Sequence, residues 1–186
     1  LNMLNTKYII AEEQGQIFPY TNTEANGNAW FVSKLKVVAD ANQEIVALDS
    51  LNTKTTAVLE QTVQTDNNLK TTYQVDSIAS IQLKEFKPNY LKYESNNTNV
   101  GLAVFSEIYY AQGWNAYIDG TLTPHFRVNY VLRALELPKG NHTIEFKFEP
   151  QVVKTGSNVA LVSSAILVIL LLLGVFYEFK RRKVNA

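Results

Sequence analysis

Residues 127–150 read RVNYVLRALELPKGNHTIEFKFEP, and the reading of this stretch decides the fold. Ile144, Phe146 and Phe148 alternate with Glu145, Lys147 and Glu149. A period of two sends the apolar side chains to one face of a strand and the charged ones to the other. The stretch therefore predicts a half-buried strand with a core on one side and water on the other. Leu137-Pro138-Lys139-Gly140 separates it from a second strand candidate, 127–137, because proline presets φ and glycine relieves the exit of a turn.

The same pattern extends upstream. Ile81 and Leu83 alternate with polar neighbours in 77–86, and Pro88-Asn89 marks a turn. In 100–110, Val100, Leu102 and Val104 share one face while Ala103 and Phe105 share the other, which predicts a central strand buried on both sides. The polar 96–99 stretch, NNTN, reads as a tight hairpin loop before it. Asp119-Gly120 between two strand-like runs is a strong two-residue hairpin signal, since a type I′ turn needs positive φ at both positions. Nearer the start, 6–13 and 29–38 are strand candidates. The first is followed by a segment broken by Pro19. The second is kinked near Ser33, because Val32, Leu35 and Val38 do not follow a period of two. Residues 40–51 differ. Asp40 is a helix N-cap, and Ile45, Leu48 and Leu51 fall at helical spacing, so one short helix is expected with that apolar face buried. Residues 55–61 extend that helix or form a strand, and 64–72 read as a polar turn. Strands about ten residues apart with turn signals between them predict a mainly β fold, an antiparallel β-sandwich, over residues 1–156.

The end of the chain is different again. Residues 159–177, VALVSSAILVILLLLGVFY, hold 19 residues without a charge. A helix of that length spans about 28 Å, close to a bilayer's hydrocarbon core of roughly 30 Å. It satisfies its own backbone hydrogen bonds, as lipid requires. A transmembrane helix is expected over 157–179, with Phe176, Tyr177 and Phe179 at the interface and a basic tail over 180–186. Lys180, Arg181, Arg182 and Lys183 assign that tail to the cytoplasm and the body to the extracytoplasmic side. No basic-then-apolar leader is visible at the start, and residue 1 is Leu, so the sequence reads as the C-terminal piece of a longer chain.

Composition narrows the function. The chain has 17 Lys/Arg and 17 Asp/Glu. Four of these basics and one acid, Glu178, lie beyond residue 158, leaving 13 basics against 16 acids in the body, a net charge of −3. A mildly acidic body does not suit nucleic acid, whose binding requires a basic face. Cysteine is absent, which removes disulfides and thiol chemistry. His125 and His142 have no partners at metal-ligand spacing, and neither a nucleophile elbow nor a phosphate-binding loop is present. No catalytic residue and no cofactor is expected here.

One cluster stands out. Residues 109–120, YYAQGWNAYIDG, pack four aromatic rings into twelve positions. Tyr109, Tyr110, Trp114 and Tyr117 read in two ways: as a surface on which sugar rings stack, or as a plug at the corner of the sandwich. Arg127 and Arg133 also have two readings, an external ion pair or a contact to phosphate or substrate.

The segments TKYII near the start, GNAWFV (27–32), SEIYYAQGWNAYIDG (106–120) and NYVLRALELPKGNHTIEFKFEP (129–150), with a last span closed by basics, resemble the C-terminal region of the YfhO family, of the Bacteroidetes type. The family's usual YYPGW is YYAQGW here, so the turn before Gly113 departs from the pattern. These are large multi-pass bacterial membrane proteins similar to GT-C-type glycosyltransferases. The resemblance implies a parent that moves a sugar from a polyprenyl-phosphate carrier to a cell-envelope glycan at the cytoplasmic membrane. Its catalytic acids would lie in an upstream membrane domain. This stretch would supply an accessory extracytoplasmic domain and the last anchor. Its partners would be membrane lipid, that upstream domain, and a lipid-linked sugar or envelope glycan. The other reading is a non-catalytic, membrane-anchored binding or assembly module.

Overall fold

The structure, a computed structural model, describes residues 1–184, without the side chains of Glu178, Phe179 and residues 181–184. It divides into two units, Leu1–Phe148 and Glu149–Ala186.

The first unit begins with β1 (Tyr8–Glu13), β2 (Gln16–Thr21), β3 (Ala29–Val32) and β4 (Lys34–Val38). Helix α1 (Ala41–Ala47), β5 (Thr56–Glu60) and helix α2 (Gln61–Asp66) follow. Next come β6 (Ser80–Lys87), β7 (Tyr90–Asn97), β8 (Gly101–Ile108), β9 (Trp114–Ile118) and β10 (Thr121–Thr123). The unit closes with β11 (Phe126–Val128), β12 (Leu132–Leu137) and β13 (Gly140–Phe148).

The strands form three layers. An outer antiparallel sheet has the order β10-β9-β13-β7-β6, and a middle antiparallel sheet has the order β11-β12-β8-β3. These two make the expected sandwich. The chain crosses between them repeatedly, and the Pro138 turn is one such crossing, because β12 lies in the middle sheet and β13 in the outer one. The NNTN loop is another. It does not close a hairpin as expected: β7 and β8 belong to different sheets, and Asn97 secures the crossing by donating to the carbonyls of Asn99 and Pro138. The Asp119-Gly120 hairpin forms as expected, with φ of 50° and 80°.

The alternation of β13 is realised at Ile144 and Phe146 but not at Phe148, which is exposed at the strand's end. Ile144 and Phe146 are fully buried. With Tyr93 and Phe105, Phe146 forms an aromatic centre between the two sheets, with ring centroids 4.9 Å apart for Tyr93–Phe105 and for Phe105–Phe146, both edge to face. Such pairs add to stability beyond the area they bury. Strand β8 is buried on both faces, as its sequence indicates: Ala103 and Phe105 enter this core, Leu102 and Val104 the opposite one. Val100 lies before the strand and is exposed.

The opposite core requires the third layer. There β4 and β5 pair in parallel, with α1 as the crossover. Residues 55–61 are thus mostly strand, and the expected polar turn over 64–72 begins within α2, so the unit has two short α-helices where one was expected. The break at Ser33 marks where the chain leaves the middle sheet for this layer. Asp40 caps α1, its carboxylate accepting from the Gln43 amide at 2.9 Å. The expected buried face is corrected. Ile45 is exposed, and the helix buries Glu44 and Ala47 instead. Glu44 is drawn inside by two donors, the Tyr130 amide at 2.8 Å and the Arg127 guanidinium at 3.2 Å.

The second unit is a single helix, α3 (Gln151–Val184). Its segment Gln151–Tyr177 is long and apolar enough to cross a membrane, and its apolar stretch is not buried. Lys180 continues the helix; the side chains of Arg181, Arg182 and Lys183 lie outside the described residues.

Candidate functional site

Two clefts open on either side of the Tyr109–His125 ring pair, whose centroids are 5.2 Å apart. Tyr109 leaves the end of β8, held by its amide donating to the Val131 carbonyl at 2.8 Å. His125 sits in the short crossing between β10 and β11. The larger cleft holds about 570 Å³ and is lined by Arg127, Tyr130, Asp66 and Asn67, among others. The smaller holds about 360 Å³ and is lined by Trp114, Asn115, Leu122 and Pro124, among others.

The structure therefore brings together three of the five candidate contacts. Tyr109 walls both clefts, Trp114 lies in the smaller and Arg127 in the larger. Tyr110 is exposed and lines neither. Tyr117 points elsewhere on β9, where the Lys147 ammonium lies 4.7 Å from its ring centre. Trp114 is stacked on one side. The Arg133 guanidinium is 4.3 Å from its ring centre, and Phe148 packs against it at 5.4 Å. A side chain at Gly113 would strike the Phe148 ring, its Cβ falling 2.2 Å from Cε2, which accounts for glycine before Trp114.

The two arginines part company: Arg127 forms an ion pair, one of its two expected readings, and Arg133 meets neither. Arg133 is buried, donates from Nε to the Ile108 carbonyl at 2.9 Å and lies between Trp114 and Phe146. Among the described residues it forms no ion pair, and it lines neither of the two clefts. Arg127 is paired, but with two carboxylates, Glu44 and Glu60, the first of them buried. Its charge is already compensated, so it does not make the larger cleft an anion trap. Burial raises the Glu44 carboxyl pKa, against the lowering effects of the Tyr130 amide and Arg127.

Sequence reasoning passed over His125 as anything but a failed metal ligand. Burial, reinforced by nearby Arg133, lowers its imidazole to about 4, so the ring is neutral at physiological pH. Its buried Nε2 has no protein partner. No spacing rule marks such a residue; only the folded crossing places it between the clefts. No group of three His, Cys, Asp or Glu side chains suited to a metal occurs among the described residues. The clefts thus offer aromatic walls, a neutral imidazole, amides, the charge-compensated Arg127 and the carboxylate of Asp66. That chemistry suits a neutral, polyhydroxylated ligand, whose apolar ring faces stack on aromatic groups while its hydroxyls find polar partners.

The features above define a class: a β-rich body followed by a helix able to span a bilayer. Residues 3–160 match the model of the family described as bacterial membrane protein YfhO. The chain belongs to the YfhO family of bacterial membrane proteins. No curated protein and no solved structure matches it.

Proposed function

We propose that this chain is the accessory extracytoplasmic domain and final membrane anchor of a YfhO protein that transfers a sugar from a polyprenyl-phosphate carrier to a cell-envelope glycan. In this reading residues 1–156 lie outside the bacterial cytoplasmic membrane. The basic residues Lys180, Arg181, Arg182 and Lys183 hold the C-terminus in the cytoplasm. The domain does not perform the transfer. It holds the acceptor glycan at the clefts beside Tyr109.

The observation that supports this most is the shared Tyr109 wall, with polar groups on one side and Trp114 on the other. The test is binding of the full chain, in phosphatidylcholine nanodiscs, to an array of bacterial envelope glycans. The expected result is retention of a subset of glycans that Tyr109→Ala loses. Tyr117→Ala, which alters an aromatic side chain outside both clefts, should retain them. Equal retention by both variants, or none by the parent chain, rejects the glycan role.

A further inference from the structure

The β1–β2 ribbon breaks the rule that the rest of the unit obeys. It is a two-stranded hairpin closed by Gln14-Gly15, both at positive φ, and it pairs with no other strand. Isolated two-stranded hairpins are marginal in water. A solvated hairpin of this kind should be polar on at least one face. This one carries large apolar side chains on both, with its acids, Glu12 and Glu13, confined to the turn end. Tyr8, Ile10, Ile17 and Pro19 share one face, by register Tyr8↔Thr21, Ile10↔Pro19 and Glu12↔Ile17. Ile10 and Ile17 are 74% and 72% exposed. Phe18 and Tyr20 on the other face are exposed as well. Apolar surface gathered in this way marks a contact site.

Three observations select the occupant. First, the ribbon is poorly suited to extension by another strand: Pro19 removes a donor from β2, and Glu12 and Glu13 occupy the tip end of β1. Burial of its faces is what remains. Second, those faces carry isoleucine with tyrosine and phenylalanine, a mixture suited to the region where lipid headgroups meet acyl chains. Third, the ribbon springs from the end of the body where the chain leaves for the apolar helix. At its base Asn22 bonds Asn2, and Ser106 of β8 donates to the Met3 carbonyl at 2.8 Å. Strand β13 finishes at the same end, since Arg133 bonds Ile108 and lies over Trp114, the register partner of Phe148. Only Glu149 and Pro150 separate Phe148 from α3. A covalent anchor keeps a bilayer at high effective concentration for any side chain near the point of attachment, whatever the concentration of other proteins. From these observations we infer that the β1–β2 ribbon is a lipid-docking arm that lies in the bilayer interface and fixes the orientation of the body on the membrane. This inference rests on the membrane anchor but not on the glycan role of the clefts.

The absence of cysteine makes the test direct. Nitroxide labels are placed on Ile10→Cys, Ile17→Cys and, as a control on an exposed turn in the body, Lys139→Cys. Each full chain is reconstituted at one copy per phosphatidylcholine nanodisc. Accessibility to lipid-soluble oxygen is then compared with accessibility to a water-soluble nickel chelate. The expected result is an oxygen-to-nickel ratio severalfold higher at 10 and 17 than at 139. Adding Ile17→Asp should bring the ratio at 10 down to the control, while near-UV circular dichroism stays unchanged. Ratios at 10 and 17 equal to the control overturn the proposal, leaving a solvated arm. Exclusion of both reagents also overturns it, because a single copy in a disc would then be burying the ribbon against protein. Failure of this test leaves the array result intact, so the two readings fall separately.

Discussion

The middle sheet has a core on each face, and the two are held by different means. Toward the outer sheet the contact is apolar and aromatic, centred on Tyr93, Phe105 and Phe146. Toward the third layer an apolar core is also present, but polar latches join the layers. Asn129, fully buried at the β11–β12 turn, pairs with β5 through both side chain and backbone. Its Oδ1 accepts from the Val58 amide at 2.9 Å, and its backbone amide donates to the Val58 carbonyl at 2.8 Å. Glu44 of α1 holds Tyr130 of the same turn and Arg127 of β11. Tyr73 donates to Glu136 of β12 at 2.7 Å. Sheet-on-sheet packing is non-directional and tolerates many apolar solutions. A parallel pair with short helices presents irregular backbone, whose buried polar groups need specific partners. The difference is between a fold held by area and a fold held by address.

Mutation can break this comparison. The largest loss is expected on the sandwich side. Phe146→Ala removes the ring shared by the aromatic centre and should destabilise the unit by about 3–5 kcal/mol, read from chemical denaturation. On the latched side, Glu44→Ala strands the Tyr130 amide and removes one of the two carboxylates on Arg127. A cost of about 1–3 kcal/mol is expected, with Glu44→Gln milder because it retains an acceptor. Asn129→Ala should cost about 1–2 kcal/mol, since alanine at φ 50° is strained and leaves the Val58 amide without the Oδ1 acceptor. The discriminating result is the ratio of the two kinds of change. If Glu44→Gln and Glu44→Ala cost the same, the latch is packing alone and the comparison collapses.

The two sides also differed in how far the sequence revealed them. The sandwich follows from period two, because the buried residues of β8 and β13 are apolar and their spacing records the geometry. The third layer does not. On α1 the apolar residue Ile45 faces water and the acid Glu44 faces the core, the reverse of what helical spacing of hydrophobic residues suggests. A carboxylate is buried only when its partners are present, and those partners, Tyr130 and Arg127, lie more than eighty residues away. Of the candidate site, Tyr109, Trp114 and Arg127 were legible because their residue types are suited to ligands. His125 was not, since its interest comes from where the chain crosses between sheets. The β1–β2 strands were half visible: the first was expected, but Pro19 was taken to break the second. It does not, because β2 is the edge of an isolated ribbon and proline's missing donor there costs no ladder bond.

The smallest effect expected is a pH dependence on the sandwich side, at a polar pair within the outer sheet. His142, two residues into β13, has its Nδ1 2.6 Å from Asp119 and its Nε2 3.1 Å from the Lys139 carbonyl. Both nitrogens face acceptors, so the doubly protonated ring satisfies both. The bond to Asp119 raises the His142 pKa above its ordinary 6.5, and the same bond lowers that of Asp119 below its ordinary 3.8. A raised imidazole contributes stability that is complete below 6.5 and is lost as pH climbs through the higher folded value. The lowered carboxyl works in the opposite direction: its contribution is present above 3.8 and is lost as pH falls through its folded value. The pair therefore stabilises the hairpin most in mildly acidic solution and progressively less through neutral and alkaline pH. Asp119→Asn keeps the positive φ that Asn tolerates and an oxygen for the Thr143 amide, but removes the charge. Melting temperatures across that range should fall with rising pH in the parent chain and run flatter in the variant. Parallel profiles would show that the charge on this pair contributes nothing to the stability of the sandwich side.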